Sequence, residues 1–298
     1  MMDTINCNLG RKASIPFAIA AMSWWGKAKS LQHDPSLHFA TAWQDLPPLK
    51  TPPSYCGMAM WGSDKIIVVG GLDEQFKSLR NVEMYDISSR QWTELPPLSQ
   101  PRFSCTAIVV NDKLYVFGGS NAGPRLSECE VLDLYQSDSQ FTRLPNDLPQ
   151  ALAHAVVVSK GHWIYVISGF NGNSYLNTVY ALDTRTNEWN DKLPHMKEIR
   201  ILPAVAILGD TLVVAGGRNS ENGTTNYLTS VEMLDLKTSK WTNTIQSMPS
   251  PRSAAMAFVE QGSSNLIIAG GQYNYDKPAT TYLRYNGNSW TEYGNFPR

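Results

Sequence analysis

Short apolar runs alternate with polar stretches along this chain at a steady interval. Ile66-Ile67-Val68-Val69 runs into Gly70-Gly71, a polar loop follows, and then come Val82 to Asp86 and Trp92 to Leu98. Each run is too short for a typical helix, is rich in β-branched and aromatic residues, and is bounded by Gly, Pro, Ser or Asn. The pattern predicts strands joined by turns: Tyr55 to Trp61, Lys65 to Val69, Val82 to Asp86 and Trp92 to Leu95. Strands of this length cannot bury their own apolar faces, so the unit needs neighbours of its own kind.

The sequence supplies them. An apolar run ends in paired small residues at Gly70-Gly71, Gly118-Gly119, Ser168-Gly169, Gly216-Gly217 and Gly270-Gly271, in steps of 48, 50, 48 and 54 residues. A large aromatic keeps phase at Trp43, Trp92, Phe141, Trp189, Trp241 and Trp290. Four strands repeating near every fifty residues predict an all-β propeller. Gly lets a strand end where space narrows toward the centre. The repeated Trp reads as scaffold, supplying apolar area between sheets.

These residues resemble the kelch-repeat family. The resemblance rests on hydrophobics running into Gly-Gly, the pairs Tyr85-Asp86, Leu182-Asp183 and Leu234-Asp235, and a Trp six residues after the Asp. Pro101-Arg102 and Pro251-Arg252 extend it. It covers residues 41–298 and implies a kelch-type β-propeller with five clear blades. Residues 1–40 fit the repeat poorly. Trp43 to Leu49 copies Trp92 to Leu98, so the N-terminal segment is expected to form a degenerate sixth blade, which closes an otherwise open sheet edge. The competing reading of Ile15 to Met22 as a targeting segment is weakened by Pro16 and by the short apolar core.

Composition narrows the function classes. With 25 Lys+Arg against 26 Asp+Glu, no basic excess points to nucleic acid or to an anionic membrane. Four cysteines in 298 residues make no disulfide framework, so free thiols in a reducing, cytoplasmic setting are expected. The sequon at Asn222 matters only if the chain is secreted. The five histidines show no metal-ligand spacing, and the Gly pairs lack the Lys-Ser/Thr of a phosphate loop. No cofactor or metal is therefore expected, and no catalytic residue is assigned.

The candidate binding residues are the ones that fail to repeat. The loops after each Gly pair differ most from one another and carry Phe76, Arg125, Tyr175, Arg218, Tyr227 and Tyr273. Tyr and Arg are side chains enriched in recognition surfaces, and loops on rigid scaffolds collect function. His154 is placed at the repeat position of Cys56 and Cys105, facing the channel. Arg102, Arg200 and Arg252 share one repeat position, filled by Pro53 and Ala151 in the other units. The resemblance to kelch adaptors that recruit substrates to ubiquitin ligases implies a rim of arginines holding acidic groups. A structural arginine bonded to carbonyls of its own blade is the alternative.

The reading is a monomeric, non-catalytic interaction module that binds a protein or peptide with acidic groups on its loop face, as an adaptor would. Its rival is an enzyme or small-ligand binder at the channel mouth, since kelch propellers also resemble sialic acid epimerases and plant specifier proteins. The Glu-x3-Asp-x3-Cys iron string of the specifier proteins does not occur here.

Overall fold

A computed structural model of the chain describes residues 46–294 except 222, 243–245 and 261. Five four-stranded antiparallel sheets follow one another in sequence, each formed by a meander. Blade 1 contains β1 (Gly57–Trp61), β2 (Lys65–Val69), β3 (Val82–Asp86) and β4 (Gln91–Leu95). Blade 2 contains β5 (Thr106–Val110), β6 (Lys113–Phe117), β7 (Cys129–Asp133) and β8 (Thr142–Arg143). Blade 3 contains β9 (Val156–Lys160), β10 (Trp163–Ile167), β11 (Val179–Asp183) and β12 (Glu188–Asn190). In blade 4, β13 (Ala204–Leu208) and β14 (Thr211–Ala215) are followed by a hairpin of β15 (Arg218–Glu221) and β16 (Thr224–Tyr227), then β17 (Val231–Asp235) and β18 (Lys240–Thr242). Blade 5 has β19 (Met256–Val259), β20 (Leu266–Ala269), a hairpin of β21 (Gln272–Asn274) and β22 (Lys277–Pro278), β23 (Tyr282–Tyr285) and β24 (Trp290–Tyr293).

The core lies between blades. Ile67, Val69 and Val82 of blade 1 meet Leu114, Val116 and Leu132 of blade 2. Phe117 and Cys129 then meet Ile164 and Leu182 of blade 3, and the pattern continues through blades 4 and 5. The second strand of each blade is buried on both faces, which is why Ile66-Ile67-Val68-Val69 reads as a continuous apolar run and not an alternating one. The innermost strands pack in series, β1 on β5, β5 on β9, β9 on β13 and β13 on β19. Among the described residues this is the radial arrangement of five propeller blades.

In every described blade but the second, where Phe141 stands, a tryptophan on the outer strand ties the blade to the segment before it. Trp92 donates its indole N–H to the carbonyl of Pro47 at 2.8 Å, Trp189 to Asn146 at 3.3 Å, Trp241 to Pro194 at 2.7 Å and Trp290 to Gln246 at 2.8 Å. The phase of the tryptophans thus has a second cause besides packing area. Leu46 packs on Ile66 and Tyr85, so residues 46–49 sit against blade 1 as the end of one blade sits against the next. The proposed sixth blade, the division at residue 40 and the Asn222 sequon fall outside the described residues.

Some boundaries differ from the sequence reading. The innermost strand begins at Gly57 and not Tyr55, because Tyr55 adopts a left-handed backbone with φ of 53°. The long segments beginning at Arg218 and Gln272 fold into hairpins of their own. Phe141 lies outside β8, which is only two residues long.

Candidate functional site

The loop face is organised by a turn that repeats without a glycine. Tyr55, Ser104, His154, Leu202 and Ala254 each stand two residues before an innermost strand, with φ of 53°, 51°, 58°, 51° and 55°. A left-handed non-glycine residue costs about 1–2 kcal/mol, so five in register must be held by their surroundings. Part of that hold is a backbone hand-over between blades. The N–H of Ser104 donates to the carbonyl of Tyr55 at 2.7 Å, that of His154 to Ser104 at 3.0 Å, and that of Ala254 to Leu202 at 2.9 Å. These turns set the five side chains at the loop-face end of the innermost strands.

His154 therefore does not share the position of Cys56 and Cys105. A Cβ on Gly71, Gly119 or Gly169 would meet the Cβ of Cys56, Cys105 or Ala155 respectively, so Ala155 is the residue in phase with the two cysteines. His154 aligns with Tyr55 and Ser104, one residue earlier. Its half-buried ring meets Tyr55 edge-on at 6.3 Å. Those two rings come from blades 1 and 3, and Ser104 of blade 2 stands between them in ring order. Ser104 is buried and its Oγ has no hydrogen-bond partner among the described residues.

Two loop arginines converge on this histidine. Arg125 donates through Nη1 to Ser120 Oγ at 3.1 Å and to the Gly123 carbonyl at 2.6 Å. Its guanidinium lies 4.9 Å over the ring of Phe170, which meets Tyr175 edge-on at 5.4 Å. Phe170 exchanges backbone hydrogen bonds with Ala153, the neighbour of His154. Arg218 opens β15, opposite Tyr227, and its backbone pairs with Ile201 beside Leu202. Its Nε and the Tyr227 hydroxyl are both buried without a partner among the described residues. Burial, and then the charges of Arg218 and Arg125, push the His154 imidazole down to about 4.

Most of the other described arginines are neutralised by a carboxylate. Arg102, Arg143, Arg185, Arg200, Arg252 and Arg284 are all ion-paired to carboxylates. Arg80 donates to the Leu98 carbonyl at 2.6 Å. Among the described residues, neither Arg125 nor Arg218 has an acidic partner. The arc from Tyr55 to Tyr227 thus offers hydrogen-bond donors and positive charge with no carboxylate among the described residues to balance them. It is a place for an acceptor.

The expected arc of Arg102, Arg200 and Arg252 at the channel mouth is corrected by their burial. All three are fully buried, with their guanidinium groups turned into their own blades. Arg102 donates to the carbonyls of Gly118 and Glu128 and pairs with Glu130. Arg200 does the same with Gly216, Ser230 and Glu232. Arg252 pairs with Glu292 and lies 4.3 Å from the ring of Tyr273. The blade 3 residue at this position is Leu152 and not Ala151, because its carbonyl accepts from Gly119 as that of Arg102 accepts from Gly71.

The other candidates stand apart from the arc. Phe76, on blade 1, is 78% exposed with φ of 60°. Its loop is closed by Asp73, whose Oδ1 accepts from the N–H of Gln75 at 2.9 Å and of Lys77 at 2.8 Å. Tyr273, on blade 5, holds its hydroxyl 3.0 Å from Thr281 Oγ1 and 3.2 Å from Glu292, which leaves it committed to its own blade. Tyr55, Ser104 and Phe170 are the members that sequence reasoning missed. Counting two residues on from Arg102, Leu152, Arg200 or Arg252 finds the ring position in blades 2 to 5. Among the described residues, no three His, Cys, Asp or Glu side chains are grouped to hold a metal.

His154 also predicts an acid weakness. The unfolded imidazole titrates near 6.5 and the folded one near 4, so the unfolded chain takes up the proton first. Stability present above pH 6.5 is lost as the pH falls toward 4, by at most about 3 kcal/mol from this group. Urea midpoints at pH 7 and pH 4.5 should separate less in His154→Gln than in the parent. Equal separations would mean that the imidazole is not held neutral.

The family model described as the KLHDC2/KLHL20/DRC7 Kelch-repeats domain matches residues 36–201, and the Kelch motif model matches residues 200–244. Acyl-CoA-binding domain-containing protein 5 of Arabidopsis thaliana is 26% identical over 272 residues, covering 84% of this chain and 41% of the relative. Alpha-scruin of Limulus polyphemus is 24% identical over 253 residues, 80% of this chain and 27% of its own length. The kelch-like protein terF of Aspergillus terreus is 24% identical over 242 residues, 77% of this chain and 52% of its own. The chain spans about half or less of the length of these curated relatives.

Proposed function

The chain belongs to the kelch-repeat family, and from that premise we propose that it is a protein-interaction module whose loop face receives an acidic segment of a partner at Arg125, Arg218 and His154. Relatives that share the repeat include one named for a BTB domain and others named for scruin, which supports an interaction role over a catalytic one. The observation that carries the reading is local to this chain. The two arginines near the channel-mouth histidine have no carboxylate partner among the described residues, while six other arginines are ion-paired. A guanidinium pair suits a carboxylate, which it can grip by parallel N–H···O bonds. An adaptor that passes its partner to a second protein is the role this arrangement fits.

The test compares affinity capture by the parent chain and by Arg125→Gln/Arg218→Gln. Neither residue closes an ion pair, so thermal melting should move by no more than a few degrees. Capture of the partner should fall about tenfold to hundredfold, the range for losing one or two charge-assisted contacts. An identical set of captured proteins from parent and variant would sink the assignment of this face.

A further inference from the structure

We infer that the seat at Arg125 and Arg218 is proton-linked: an acidic group that enters it brings a proton onto His154, so the partner is held more tightly as the pH falls from 7 toward 5. This rests on the reading that the loop face takes an acidic segment.

The groups facing His154 come from three other blades. Tyr55 approaches edge-on from blade 1. Ser104 hands its carbonyl to the His154 N–H from blade 2, and Arg125 leans across from the same blade onto Phe170. Arg218 stands on the blade 4 side. Among the described residues all of these are neutral or cationic, and no carboxylate is among them. Placing a positive charge on the imidazole is therefore opposed by both guanidinium groups. A carboxylate that bridges the guanidinium groups cancels the field that opposes protonation, and an imidazolium N–H gives it one more charge-assisted donor. Reciprocity then fixes the sign. If the ligand favours the proton, the proton favours the ligand by the same factor.

In the complex the imidazole titrates above its free value of about 4. The added affinity is complete below the free value and vanishes as the pH rises through the value in the complex. If the carboxylate restores the ordinary range near 6, binding tightens about tenfold between pH 7 and pH 5. A carboxylate at a peptide's C-terminus and one on a side chain would act alike here.

The experiment titrates the full chain calorimetrically at pH 7 and pH 5 with two probes. One is a pentaglutamate peptide blocked at both ends, and the other is a neutral peptide with a free C-terminal carboxylate. The expected result is that at least one binds, about tenfold more tightly at pH 5, with proton uptake seen as a dependence of the heat on buffer ionisation. Whatever its affinity at pH 7, His154→Asn should show no gain between pH 7 and pH 5. Which probe binds tells a side-chain carboxylate from a terminal one. Binding with no pH dependence, or with the same dependence in His154→Asn, overturns the proton linkage and leaves the acidic seat standing. If neither probe binds at either pH, the acidic seat itself falls, and the linkage with it. A ligand-free arm follows the His154 ring by NMR, where Arg218→Gln should raise its titration midpoint. An unmoved midpoint would show that the guanidinium does not act on the imidazole.

Discussion

Arg102→Ala should destabilise the protein by about 3–5 kcal/mol, the range for stranding one partner of a buried ion pair. Arg102 is fully buried, and Glu130 is 1% exposed. Among the described residues, the lost guanidinium leaves the Glu130 carboxylate with the N–H of Ser99, which donates to Oε2 at 2.8 Å. It also strips a donor from the carbonyls of Gly118 and Glu128. A urea denaturation midpoint measures the loss. A change under 1 kcal/mol would mean that water or a rearranged side chain replaces the guanidinium, and that the pair is not structural.

The chain contains its own control for that prediction. Blade 3 has Leu152 where blade 2 has Arg102, and Tyr180 where blade 2 has Glu130, as the shared register with Val166 and Val116 shows. Both charged partners have been exchanged for uncharged side chains, a leucine and a tyrosine, and Leu152 is 1% exposed. Blade 5 keeps Arg252 but has Leu283 in the acidic position, and the arginine reaches instead to Glu292 on the outer strand. Blade 1 keeps Glu83 without an arginine, and burial raises its carboxyl above the usual range. Removing both members of a buried pair is often nearly neutral. Arg102→Leu/Glu130→Tyr should therefore recover most of what Arg102→Ala loses.

The same comparison explains what the sequence made visible. The period of about fifty was legible because the small-residue pair and the outer Trp answer to geometry that every blade shares. The glycine pair must end a strand in a narrow space, and the indole N–H must reach the previous blade. The ring of left-handed residues was not legible, because Tyr55, Ser104, His154, Leu202 and Ala254 have no side-chain chemistry in common. Their backbone is imposed by the hand-over between blades, and no glycine marks it. That hidden turn is what shifted His154 and Ala151 by one residue. The burial of the arginines did leave a trace, in an acidic residue set second in the apolar strands Cys129–Asp133 and Val231–Asp235. Its partner lies 28 or 32 residues away, so the trace acquires meaning only once the sheet brings the two together. Arg125 and Arg218 were picked for their place in divergent loops, but their lack of acidic partners could not be read from the chain.

Gly70→Ala should cost about 3 kcal/mol or more, whereas Gly70→Ser, though larger, should cost less. Gly70 has φ of 59°, and a Cβ there would be driven into the carbonyl oxygen of Arg102 in the neighbouring blade. The left-handed backbone costs an alanine about 1–2 kcal/mol before any clash is counted. The carbonyl cannot retreat freely, because it accepts the N–H of Gly71 at 2.8 Å. Blade 3 shows how a side chain can be accommodated. Ser168 occupies this position with φ of 63°, donates its hydroxyl to the carbonyl of Arg200 and accepts the N–H of Gly169 at 2.6 Å. The oxygen that would repel a methyl group thus becomes a hydrogen-bond acceptor, worth about 1 kcal/mol against the same strain. Denaturation midpoints should rank the parent first, Gly70→Ser second and Gly70→Ala last. The reverse order for the two variants would mean that side-chain volume, and not the loss of a partner for the carbonyl, limits this joint between blades.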